Sequence, residues 1–272
     1  MKNLLLIILD LVVRALYRRQ SVNVYCKYGD GTKNISWCYI HIVRVKLVGN
    51  QLDRVVFVAV IHTDLESVEE ARRVVREIKP AVVAVELDHE RYEYLKNPNV
   101  ENELTTMPLT GDTAQDLMQQ LAAMEQALGG ITGSNVGDEM MAAIEEGHAI
   151  DAKIALVDRP MKTTIQAMMR VPLNELYGLI EMLPDATKDI EEGGASDLMD
   201  MLKQDGAVDD ILEQFRSEFP GLTKVLIEER DLYVANALHF IMNDVQGKIV
   251  VVLGAGHIQG VKAALEELIT KD

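Results

Sequence analysis

The chain has 272 residues, 48% of them hydrophobic and 26% charged, with a formal net charge of −16 at pH 7. That composition excludes a chain disordered throughout. The acidic balance also excludes a nucleic-acid backbone or an anionic membrane as the main partner.

The charge is unevenly spread. Residues 1–50 hold eight Lys and Arg against Asp10 and Asp30, a balance of +6, which leaves −22 for the remainder. Cys26, Cys38 and the single tryptophan, Trp37, lie in the same stretch. This composition boundary predicts an appendage over 1–50 joined to an acidic domain over 51–272. The opening "MKNLLLIILDLVVRAL" is interrupted by Asp10 and Arg14, lacks a small-residue cleavage site and is too short to span a bilayer. It reads as an amphipathic helix, packed on the domain or lying at a membrane surface through residues 1–20. Residues 22–49 read as a hairpin around the turn-rich "GDGTKN". The two cysteines are expected as free thiols in a reducing cytoplasm rather than as a bridge across that hairpin.

"VVFVAVI" (55–61) is a continuous apolar run of the kind buried on both faces of a parallel sheet. "SVEEARRVVREIK" (67–79) follows as an amphipathic helix with Val68, Ala71, Val74, Val75 and Ile78 on one face, and Ser67 with Glu70 predicts a capping box. Pro80 stops it, and "AVVAVELD" (81–88) is a second buried strand. The nineteen residues between these two runs suffice for a crossover helix joining parallel strands. "TAQDLMQQLAAMEQAL" and "GDEMMAAIEEGHAI" read as helices on either side of a glycine-rich stretch. "KIALVDRP" (153–160) is a third strand and "KIVVVLGAGH" (248–257) a fourth. Residues 161–245 between them are expected to be a long helical insertion, and "IQGVKAALEELI" a closing helix. The predicted fold is α/β, a mainly parallel sheet covered by helices, with that insertion before the last strand.

Ligands of an open parallel sheet bind outside the carboxyl ends of its strands. Each run delivers ionisable groups there: His62 and Asp64, Glu86 and Asp88 with Arg91 beyond, Asp158 and Arg159, and His257. Glu86 stands in an otherwise apolar run, where a carboxylate without a partner is costly. His41, His148 and His239 read as structural, and His89 lies beside the rim.

"GAGHIQG" (254–260) is one residue off the dinucleotide-binding fingerprint, but only twelve residues follow Gly260. That leaves no room for the second strand and the acidic residue about 20 positions on that the nucleotide fold requires. The glycines read instead as a tight turn that presents His257 over the sheet.

Five blocks in order, "VAVIHTDLESVEE", "PAVVAVELDHERYEYL", "GDEMMAAIEEGHAIDAKIALVDRPMKTT", "EERDLYVANAL" and "VVLGAGHIQGV", resemble the TraB family from about Val55 to the end. That family includes the pheromone-shutdown proteins of enterococcal plasmids and many archaeal members. Its wider superfamily is similar to erythromycin esterases and to the Tiki proteins, regarded as proteases needing a divalent metal. The shared signature is two Gly-x-x-His motifs with a glutamate and arginines. Here the second motif is Gly254 to His257, and the first has Ala59 where glycine is usual before His62. The resemblance places the glutamate at Glu86 and the arginines at Arg91, Arg159 and Arg230.

Residues and resemblance together lead to the expectation of a hydrolase acting on a peptide or ester bond. His62, Glu86 and His257 are the catalytic candidates; Arg91, Arg159 and Arg230 are the substrate-binding candidates. Two histidines and a glutamate also suit a divalent metal, although their wide separation lacks the spacing of a dedicated metal motif. The alternative is a non-catalytic regulator that binds and sequesters a peptide or signal molecule in the same cleft; on either reading the protein is expected in the cytoplasm, with membrane contact through residues 1–20.

Overall fold

The computed structural model describes residues 51–62, 64–96, 134–189, 194–204 and 206–271. The predicted N-terminal helix and hairpin, both cysteines and the helix expected over "TAQDLMQQLAAMEQAL" lie outside these.

A 3₁₀ turn (Gln51–Arg54) leads into β1 (Val55–Val60), followed by α1 (Leu65–Ile78), β2 (Val82–Val85) and α2 (His89–Lys96). Next come α3 (Asp138–Ala149), β3 (Lys153–Leu156), and the helices α4 (Met161–Met168), α5 (Leu173–Asp189), α6 (Ala195–Leu202) and α7 (Ala207–Glu218). The short α8 (Pro220–Thr223), a π-helical stretch Lys224–Glu228 and α9 (Glu229–Asp244) run on without a break into one another. Strand β4 (Ile249–Gly254) and α10 (Ile258–Lys271) complete the described chain.

The sheet is parallel throughout, in the order β1-β4-β2-β3. The fold is α/β, and the region before β4 is helical. The two central strands are its most apolar: every residue of β2 and β4 is buried. Strand β1, expected to be covered on both faces, contributes to both cores, and it is the end strand of the sheet among the described residues, with Ala59 exposed, because the last strand of the chain inserts between β1 and β2.

Alternation along the strands feeds two cores. Val58, Val60, Val83, Val85, Val250 and Val252 face Ala71 and Val75 of α1 and Met140, Ala143 and Ile144 of α3. Val55, Val82, Ala84, Val251 and Leu253 face Val234, Leu238 and Met242 of α9 and Val261 and Leu265 of α10. The period-two split of one run between two helical layers makes the three-layer architecture.

Local chemistry sets the element ends. Helix α1 starts two residues earlier than its sequence suggests. Asp64 is the N-cap, accepting from the N–H of Ser67 at 3.0 Å, while Ser67 Oγ accepts from the N–H of Ile61 at 2.9 Å. The serine therefore ties the helix back to the end of β1, and Glu70 pairs with Arg73 on the surface. Lys79 closes α1 in the left-handed conformation (φ 48°) immediately before Pro80. Helix α3 lies close against the sheet at Gly147, where a Cβ would meet Ile154 Cδ1 at 2.7 Å and Val83 Cγ2 at 3.0 Å. Gly147→Ala is therefore expected to overpack the layer and cost about 1–3 kcal/mol in urea unfolding, without changing the fold.

Candidate functional site at the carboxyl edge of the sheet

The register pairs Val60 with Gly254 and Val85 with both Val252 and Leu156, so all four strands end at one edge. His62, Glu86, Asp158 and His257 follow those ends directly and are buried, at 3%, 1%, 4% and 2% exposure. The insertion closes over this edge. Helix α7 packs against the Ala255–His257 turn, and Lys203 after α6 reaches Asp64 at 3.1 Å and Glu66 at 2.8 Å beside α1.

A chain of alternating charges crosses the site. Glu86 accepts from Arg230 Nη2 through Oε1 at 2.6 Å and from the N–H of Gly254 through Oε2 at 2.8 Å. Arg230 also donates to Asp158, from Nη2 at 2.7 Å and from Nε at 3.2 Å. Asp158 accepts in turn from Arg91 Nη2 at 2.5 Å, and Arg91 Nε reaches Asp88 at 2.9 Å. Glu86 thus has the partner its apolar surroundings demand, and Asp158 is the node that serves two guanidiniums at once.

The electrostatics follow this wiring. Burial alone would raise the Asp158 carboxyl, but Arg230 and Arg91 overcome it and hold the group far below the usual carboxylate range. Arg230 and Arg91 are raised, since their carboxylates outweigh the burial that opposes their charge. Arg159 is lowered by its burial, against the opposing pull of Glu229.

The three arginines are used differently. Arg159 donates to Thr164 at 3.1 Å, Glu229 at 2.8 Å and the carbonyl of Val225 at 2.7 Å. That carbonyl belongs to the π-helical turn, whose wider backbone pattern recurs at functional sites. Each nitrogen of Arg230 faces a protein acceptor. Nη1 of Arg91 is buried and makes no hydrogen bond among the described residues.

Each histidine is held through Nδ1 by a buried carboxylate. His62 Nδ1 bonds Glu139 from the first turn of α3, and His257 Nδ1 bonds Asp231 from the first turn of α9 at 2.5 Å. An ionised carboxylate only accepts, so the facing Nδ1 carries a proton, and in the neutral ring Nε2 is then the acceptor. His257 Nε2 lies 3.5 Å from Glu86 Oε1 and makes no hydrogen bond among the described residues. Burial raises the Asp231 carboxyl, and His257 works against that rise.

Glu139 and Asp231 are site residues that strand-end reasoning does not reach, because they arrive from helices. The group on His62 Nδ1 is Glu139, a helix residue, and not one of the strand-end carboxylates. Asp64 and Asp88, delivered to the same edge, cap α1 and α2, Asp88 by accepting from the N–H of Arg91 at 3.0 Å. Tyr233 stands at the margin with 41% exposure. Its phenol is raised by partial burial and by the negative charges of Asp158 and Asp88.

Among the described residues no three His, Cys, Asp or Glu side chains converge to hold a metal ion. Both oxygens of Glu86 are engaged by Arg230 and Gly254. As placed, His62, Glu86 and His257 do not fit a shared divalent cation. Among the same residues no helix is long and apolar enough to cross a membrane.

A family model described as TraB/PrgY/gumN matches residues 44–272. The chain is similar to an uncharacterized protein of Methanocaldococcus jannaschii, 28% identical over 231 residues, covering 83% of this chain and 56% of that protein. It is also similar to the TraB domain-containing proteins of Mus musculus and Homo sapiens, each 22% identical over 252 residues, 80% of this chain and 64% of theirs. The chain spans 56% to 64% of the length of these curated relatives.

Proposed function

The chain belongs to the TraB/PrgY/gumN family, and from that premise we propose that its carboxyl-edge site hydrolyses a peptide or ester bond. The observation that carries this reading is the pairing of two strand-end histidines, each through Nδ1, with a buried carboxylate. That arrangement turns an imidazole into a directed proton carrier.

In the proposed reaction His257 Nε2 takes a proton from water as the water oxygen bonds to the substrate carbonyl carbon. Asp231 stabilises the imidazolium so formed. Negative charge develops on the carbonyl oxygen, and the donor Nη1 of Arg91 is the group available to meet it. As the tetrahedral centre collapses, the scissile bond breaks. His257 hands the proton it took from water to the departing nitrogen or oxygen, and His62 Nε2, its ring oriented through Glu139, takes the remaining hydroxyl proton so that the product leaves as a carboxylate. Glu86, Arg230 and Asp158 keep the surrounding charges fixed, and Arg159 secures the π-helical turn from which α9 departs. No step passes through a metal.

Residues 1–50 are proposed as an appendage outside this catalytic domain, supported by their composition and by a family match that begins at residue 44.

One observation favours the second reading, a non-catalytic regulator that retains a peptide or signal molecule: the histidines and Glu86 are 1–3% exposed. The two are separated by metal analysis of the purified protein, followed by a hydrolysis screen over peptides and esters with and without chelator. Hydrolysis that survives chelation is the expected result. A ligand retained intact after prolonged incubation, with no turnover of any substrate class, would sink the enzyme reading.

A further inference from the structure

We propose that Asp231 is the positioning residue of His257 and that Gly260 is glycine in order to admit it. The proposal rests on the hydrolase reading for its consequence in turnover, but not for its geometry.

None of the glycines in "GAGHIQG" adopts the left-handed conformation, and the turn after β4 is an ordinary 3₁₀ turn over Ala255–His257. Gly254 has a separate task, donating its N–H to Glu86. Gly260 has neither a turn nor a hydrogen bond to explain it. It lies in the first turn of α10, three residues beyond His257. A Cβ built there would stand 1.9 Å from Asp231 Oδ2, 2.8 Å from its Cγ and 3.3 Å from its Cβ. The carboxylate therefore rests against the bare backbone of α10 while its other oxygen takes the Nδ1 proton of His257.

The arrangement is built from two facing helices. Arg230 and Asp231 are consecutive in α9, about 100° apart around the axis. The first reaches Glu86 and Asp158, the second His257. Asp231 is 6% exposed, and burial works against its charge. A buried carboxylate with one imidazole partner is costly to folding, and its benefit is a fixed ring orientation and tautomer. Alanine at position 260 would push the carboxylate off Nδ1 without touching the histidine.

The test uses the full chain with ¹⁵N-labelled histidine and reads the ring tautomer by NMR. In the wild type His257 should show a protonated Nδ1 with a low-field proton and an unprotonated Nε2. Gly260→Ala and Asp231→Asn should both lose the low-field proton and populate the Nε2–H tautomer. Loss of kcat on the order of 10²- to 10⁴-fold, with KM little changed, should accompany this. A thermal double-mutant cycle guards against a merely structural effect. The fall in Tm caused by Gly260→Ala should largely disappear in an Asp231→Ala background, where nothing remains to clash.

An unchanged tautomer in Gly260→Ala would overturn the proposal, as would an equal fall in Tm in both backgrounds. A wild-type protein with the Nδ1 signature and no turnover on any substrate would instead remove the hydrolase reading and leave the positioning intact.

Discussion

Asp158→Asn is expected to be the most destabilising single change in the described chain, lowering the unfolding free energy by about 3–5 kcal/mol. Asp158 Oδ2 accepts from Arg91 and Arg230, and Oδ1 accepts from Arg230 Nε and the N–H of Arg159. Asparagine keeps the shape but turns an amide donor towards guanidinium donors, and two buried cations then share fewer carboxylates. Glu86→Gln should cost less, because Arg230 retains both bonds to Asp158. Urea unfolding of the two variants checks the order. A Glu86→Gln protein less stable than Asp158→Asn would show that the node has been misplaced.

The same node sets the acid limit of stability. The folded carboxyl of Asp158 lies below its unfolded value, so its contribution is fully present above the unfolded value of about 3.9. It is lost as pH falls below that value towards the folded one. Asp231 has the opposite sign: its folded value is raised, so its contribution is present below the unfolded value and lost as pH rises through the folded one. Asp158→Asn should therefore flatten the loss of stability on the acid side, which a series of urea midpoints between pH 6 and pH 2 would register.

The strands were legible because each is an uninterrupted apolar run, and parallel pairing followed from the helix-sized gap between the first two. The order was not legible. Nothing local in "VVVLG" says that the last strand enters between the first and second. The histidines, Glu86 and the arginines were visible at strand ends or through family resemblance, but their partners were not. Yet a signal for those partners exists. Glu139 shares a helical face with Ala143 and Gly147, and Asp231 with Val234, Ala235, Leu238 and Met242, all buried. A carboxylate in the apolar stripe of a helix is as anomalous as one in an apolar strand, and must likewise find a partner. Gly260 was misread for another reason: the glycine fingerprint suggested backbone conformation, whereas the requirement is steric and comes from a residue 29 positions away.

The largest functional effects are expected at the histidines. His257→Gln and His62→Gln should each lower turnover on the order of 10²- to 10⁴-fold, the range of a lost general acid or base. Glutamine preserves an N–H that can face Asp231 or Glu139, so neither carboxylate is stranded and folding should suffer far less than in Asp158→Asn. If the two imidazoles serve one reaction, the double variant should be little worse than the poorer single one, because groups that act as a unit are not additive. Losses that multiplied would point to separate processes at the two strand ends. A regulator that only binds would give a third pattern: weaker ligand affinity in both variants, against a wild type with no turnover to lose. Steady-state kinetics on the first substrate found, with unfolding measured on the same preparations, distinguishes these outcomes. Undiminished turnover in His257→Gln would remove the histidine from the chemistry, however well Asp231 holds it.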